Sequence, residues 1–157
     1  MVFHRPTLDI VNVMINKMDI KKITPYLPYK LKGQVRWEHL NRTHNVELYG
    51  ILPNDLEIEN PYGGHDYCDY DDFKPILRPI SDLNKEIIRN GNKVIDIENM
   101  FLPCGERDIL KSWTEQNKCW LGTQISYLIY EQLFEWHYDV FGLIESGEAV
   151  DINKIKI

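Results

Sequence analysis

A chain of 157 residues, 43% hydrophobic and 27% charged, has the apolar material for one globular core and too much of it for wholesale disorder. Its 18 Lys/Arg against 24 Asp/Glu leave a formal net charge of −6, which argues against a protein that coats nucleic acid with its whole surface. No apolar run reaches the roughly 18 residues that cross a bilayer, and Met1-Val-Phe-His-Arg-Pro6 lacks a signal-peptide layout. A cytoplasmic protein without a membrane span is expected. The three cysteines, Cys68, Cys104 and Cys119, include no CxxC pair and read as reduced thiols.

In chain order, Thr7 is placed to cap a first helix carrying Leu8, Val11, Met14, Ile15 and Met18 at helical spacing. Asp19–Thr24 reads as a second, short helical piece. Pro25 and Pro28 predict that it stops in extended chain, because proline restricts the residue before it. Val35 and Trp37 alternate with Gln34, Arg36 and Glu38, and Val46–Leu52 alternates again. The pair predicts an antiparallel hairpin turning at 41–45, with a third short strand at Leu56–Glu59. His65–Asp72 reads as a solvated acidic loop and Lys74–Pro79 as extended chain.

Ser81 is read as the cap of a helix over Asp82–Arg89 that Asn90-Gly91 terminates, with a strand following at Lys93–Glu98. Glu106–Asn117 is amphipathic and predicts a helix. The longest helical pattern is Gly122–Phe141, closed by Gly142. Its aliphatic stripe (Leu121, Ile125, Leu128, Ile129, Leu133, Trp136, Val140) lies opposite an aromatic one (Tyr127, Tyr130, Phe134, Tyr138, Phe141). A helix apolar on two sides is expected to be central, the aliphatic stripe in the core. The apolar tail residues from Leu143 to Ile157 suffice to dock against the body. The expected architecture is one α+β domain over 1–157, a small antiparallel sheet packed against a long C-terminal helix and shorter helices.

Charge is distributed in blocks. Met1–Arg42 has eight basic and three acidic residues, whereas Thr43–Asp72 has eight acids and no Lys or Arg; the remainder is close to balance at −3. Such blocks steer partners when they stay exposed, and neutralise each other when the fold brings them together. The residues expected to form an interaction surface are Lys30, Lys32, Arg36 and Trp37 from the basic head, and Asp66, Asp69, Asp71 and Asp72 from the acidic block. Cations interleaved with Tyr26, Tyr29 and Trp37 are the mixture that neutralises phosphates and stacks bases. The acidic stretch Asp55–Asp72 instead suits mimicry of a phosphate backbone that occupies a partner's basic groove.

Catalytic constellations are weak. His65 and Cys68 have ligand-like spacing, but a structural zinc site wants a second ligand pair. Cys104 or Cys119 with His137 would make a nucleophilic pair only by an accident of folding, and free cysteines are usually buried small hydrophobes. Neither a phosphate-binding loop nor a dinucleotide fingerprint is present. No catalytic residue, cofactor or metal is therefore assigned.

Asp72-Phe-Lys-Pro-Ile-Leu-Arg-Pro-Ile-Ser-Asp-Leu-Asn-Lys-Glu-Ile87, Leu133–Asn153 and, more faintly, Ile23–Gly33 resemble small uncharacterised proteins encoded by phages and prophages of Bacteroidota. The resemblance covers about a third of the chain and carries no known activity. It implies a non-enzymatic accessory protein that binds a host or phage protein or ribonucleoprotein, including inhibitors of the anti-CRISPR type. A small nucleic-acid-binding protein using the basic head is the alternative, and a Cys/His or metal-dependent enzyme is the third reading.

Overall fold

A computed structural model describes residues 18–37, 42–60, 62–100, 102, 105–115 and 125–155. The chain is α+β. Its strands are β1 (Lys32–Trp37), β2 (Arg42–Ile51), β3 (Asp55–Glu59), β4 (His65–Asp69), β5 (Phe73–Leu77), β6 (Glu86–Arg89), β7 (Asn92–Ile95) and β8 (Val150–Asp151). Six of them form a sheet in the order β4-β3-β2-β1-β5-β8, and β6–β7 is a separate hairpin. All neighbours in the larger sheet are antiparallel except β5 and β8.

Alternation decides which side of the sheet each residue faces. The pairs Gly33↔Val46, Gly33↔Pro75, Val35↔Phe73, Leu48↔Ile58 and Leu56↔Cys68 share one face. These residues are buried and, with Leu77, supply the sheet's side of the core. Gly33 is obligatory there. A Cβ on it would overlap Cε2 and Cζ of Phe73 and stand 2.9 Å from the Lys74 carbonyl oxygen.

The helices are α1 (Ile20–Ile23), α2 (Asp96–Asn99), α3 (Glu106–Glu115) and α4 (Tyr127–Glu135). Asp19 caps α1 by accepting from the Lys21 amide at 3.1 Å. The chain then runs through both prolines as a 3₁₀ helix over Thr24–Tyr29 rather than extending. Pro25 sits in its first turn, where no amide donor is needed. The predicted first helix lies largely outside the described residues, as does Asn41; Arg42–Asn45, expected as the turn of the hairpin, is strand instead.

Further expectations are corrected. The 82–89 segment is not helical: a 3₁₀ turn at Ile80–Asn84 leads straight into β6. Asn90 (φ 51°) and Gly91 (φ 80°) are the two-residue turn of a hairpin rather than a helix stop. Consequently β7 pairs with β6 and not with the main sheet. The acidic segment 65–72 is strand β4 followed by a 3₁₀ turn at Tyr70–Asp72, not a loop.

The long C-terminal helix is another. Within the described part of 122–141, helix covers only the nine residues of α4. His137 (φ 57°) takes the left-handed position, with Tyr138 N–H donating to Leu133 O at 2.8 Å and His137 N–H to Phe134 O at 3.0 Å. This is a Schellman stop with histidine where glycine is usual. Beyond it the backbone serves β5 instead: Arg78 N–H donates to His137 O, and Asp139 N–H to Arg78 O, both at 2.8 Å. Ile129, Leu133 and Val140 of the aliphatic stripe are buried, but Leu128 is 62% exposed, and Tyr127 of the aromatic stripe 72%. Tyr138, by contrast, is fully buried.

Candidate interaction face

The side of the sheet away from the core carries the charge blocks. On β1 it presents Lys32, Gln34 and Arg36; on β2, Thr43, Asn45 and Glu47; on β3, Asp55, Glu57 and Glu59; on β4, His65, Tyr67 and Asp69. One face thus runs from cationic at β1 to anionic at β3–β4. Lys32 and Glu47 are register partners, yet among the described residues no ion pair within 4 Å joins Lys30, Lys32 or Arg36 to the acids of β2–β4.

The acidic half has internal structure. Asp55 and Asp69 are directly opposed across β3–β4. The Tyr49 ring lies 4.7 Å from that of His65, next to a bulge at Leu48–Gly50 that re-aims the strand. His65 Nδ1 donates to Glu57 Oε1 at 2.7 Å. Partial burial first, then Glu59 and Glu47, push the Tyr49 hydroxyl pKa upward. Asp55 and Asp69 also line, with Asp72, Trp37, Tyr67 and Cys68, an open hollow of about 360 Å³.

Of the expected surface residues, the fold gathers Trp37, Asp69 and Asp72 into that hollow. Trp37 is half-buried, its ring 5.2 Å from His44, so it is no open stacking platform. Asp66 is half-buried, and its carboxylate accepts from the Tyr67 amide at 2.9 Å and from Asn60 Nδ2 at 3.4 Å, which ties it to the β3–β4 loop. Asp71 is exposed on the following 3₁₀ turn. Lys30 ends the earlier 3₁₀ helix in a left-handed conformation and is exposed, as are Lys32 and Arg36. Asp55, Glu57, Glu59 and Tyr67 join Asp69 on this face, and alternation at Asp55–Glu59 is the sequence signal that singles out the three β3 acids within the acidic block.

The His65/Cys68 metal constellation comes apart for a geometric reason. His65 and Cys68 stand three apart on one strand, so they point to opposite faces. Burial, followed by Asp72, Asp69, Asp55 and Asp66, raises the Cys68 thiol pKa to about 12, the reverse of a nucleophile's environment. His137 is half-buried, and its Nε2–H donates to Tyr29 O at 2.8 Å; Cys104 and Cys119 lie outside the described residues. Among the described residues no three His, Cys, Asp or Glu side chains are grouped to hold a metal ion, and no helix is long and apolar enough to cross a membrane. The chain matches no protein-family model, no curated protein and no solved structure.

Proposed function

We propose that this protein acts by binding rather than by catalysis, and that it docks the acidic half of its sheet face into a basic groove of a host protein or ribonucleoprotein. The hollow of Trp37, Tyr67, Asp55, Asp69 and Asp72 is the observation that carries this reading. Carboxylates beside aromatic rings suit the insertion of an Arg or Lys side chain, which gains charge pairing and cation–π contact together. Around it, Asp55, Glu57, Glu59 and Asp69 are spread along strands β3 and β4. At ~3.3 Å per residue the β3 carboxylates, two residues apart, follow one another at about 6.6 Å, roughly half the linear charge density of a single DNA strand. Such a face competes with nucleic acid for a basic groove. The resemblance of 72–87 and 133–153 to phage and prophage proteins sets this competition in an anti-defence role of the anti-CRISPR type.

Capture from a bacterial lysate tests it. The expected outcome is one stoichiometric partner, released by added duplex DNA and by salt, and lost by the Asp55→Asn/Glu57→Gln/Asp69→Asn variant. Capture that the triple variant leaves intact would overturn the assignment. A second reading, direct nucleic-acid binding, has Lys32 and Arg36 side by side on β1 in its favour. It predicts a gel shift that weakens steeply with salt and disappears with Lys30→Glu/Lys32→Glu/Arg36→Glu.

A further inference from the structure

At the cationic end of the same sheet face, β1 and β5 meet the β6–β7 hairpin and the turn after α4 around a cleft of about 440 Å³. That volume lies within the range of small-molecule sites. Its lining includes Lys32, Arg78 and Arg89 and, among the described residues, no carboxylate, a cationic concentration in a chain of net charge −6. The rest is mostly isoleucine, closed by Trp136.

The cations are held in place from behind. Arg89 makes a two-pronged contact with Asp96, through Nε at 3.2 Å and through Nη2, while its guanidinium lies 4.6 Å over the Trp136 ring. Asp96 is buried and also accepts from the Tyr138 hydroxyl at 2.8 Å. Arg78 is drawn toward the buried Asp82, 3.7 Å away. A guanidinium carries five N–H donors, so Arg89 keeps donors to spare after Asp96 is served. Lys32 has no ion pair within 4 Å among the described residues. His137 adds a polar atom in a fixed orientation, because its Nε2–H is committed to Tyr29 O.

We propose that this cleft binds a small amphipathic organic acid, its carboxylate facing Lys32 and Arg89 and its apolar body resting on Ile87, Ile88 and Trp136. A neutral ligand would leave Lys32 without an anion, and a cationic one would be repelled by it. The arginines are already oriented, so little side-chain entropy is lost when the carboxylate arrives.

Isoleucine-methyl NMR of the whole chain, titrated with octanoate and with 3-phenylpropionate, tests the site against the matching amides and amines. Both acids are expected to bind saturably and to move the methyls of Ile76, Ile87 and Ile88. The amides should bind at least tenfold more weakly, and the amines not at all. Lys32 is exposed, so Lys32→Gln folds and should weaken the acids about tenfold. Ile88 is 71% exposed, and Ile88→Asp should abolish binding by placing a carboxylate where the apolar body rests. No saturable shift with any acid overturns the proposal; so do equal shifts with the amides, or indifference to Lys32→Gln. The Asp55→Asn/Glu57→Gln/Asp69→Asn variant should keep the acid site, which separates this test from that of the proposed function.

Discussion

His137 is where several demands on one residue meet. Its backbone sits in the left-handed region, which costs a non-glycine residue roughly 1–2 kcal/mol. Burial, then the nearby Arg89 and Lys32, lower its pKa, while the hydrogen bond to Tyr29 O works in the opposite sense. The folded state therefore prefers the neutral ring more than the unfolded chain does. Its contribution to stability is complete above the unfolded pKa of about 6.5 and is lost as pH falls toward the lower folded value. Asparagine tolerates the same φ without titrating. Urea melts of wild type and His137→Asn between pH 5 and pH 8 should thus show the wild type losing ground to the variant below about pH 6.5. A pH-independent difference would mean that the ring is not held neutral.

At the level of elements, β1 and β5 are joined through the contact of Gly33 with Phe73. Gly33→Ala is expected to cost about 1–3 kcal/mol through overpacking, read as a lower urea midpoint, and Phe73→Leu in the same chain should recover part of it. If Gly33→Ala and Phe73→Leu are simply additive, the two residues do not constrain each other. The main hairpin, β3 and α3 were legible in the sequence, because hydrophobic period alone specifies them. The β6–β7 hairpin was not, because Asn-Gly serves equally as a helix stop and a hairpin turn; both need positive φ. Ile87, Ile88, Val94 and Ile95 on its flanks were the β-branched cue that favoured strand. The end of α4 had no local signal. Apolar spacing continues past Glu135, and the pairing of Arg78 with the backbone around Tyr138 stops the helix from a distance of some sixty residues. The cleft was illegible for a similar reason: its lining comes from around Lys32, Ile76, Ile88 and Trp136, which only tertiary structure unites.

At the scale of the whole molecule, no ion pair among the described residues joins Lys32 or Arg36 to the acids of β3–β4, and this has a thermodynamic signature. Directly opposed like charges on paired strands are destabilising by roughly 0.2–1 kcal/mol, and Asp55 and Asp69 are so placed with Glu57 and Glu59 on the same face. Exposed charges of one sign are screened by salt over about 10 Å at 0.1 M. The protein should therefore gain stability between about 10 mM and 500 mM sodium chloride, whereas a fold held by ion pairs between its basic and acidic blocks would lose it. Asp69→Asn should stabilise the chain by a few tenths of a kcal/mol and flatten that salt dependence, while weakening capture of the basic partner. The two effects of opposite sign have one cause: repulsion tolerated in the free protein is what a basic groove relieves on binding. Chemical denaturation at four salt concentrations decides the matter. Stability that falls with salt, or an Asp69→Asn variant less stable than wild type, would mean that the acidic face is satisfied within the fold and has no surplus charge to offer a partner.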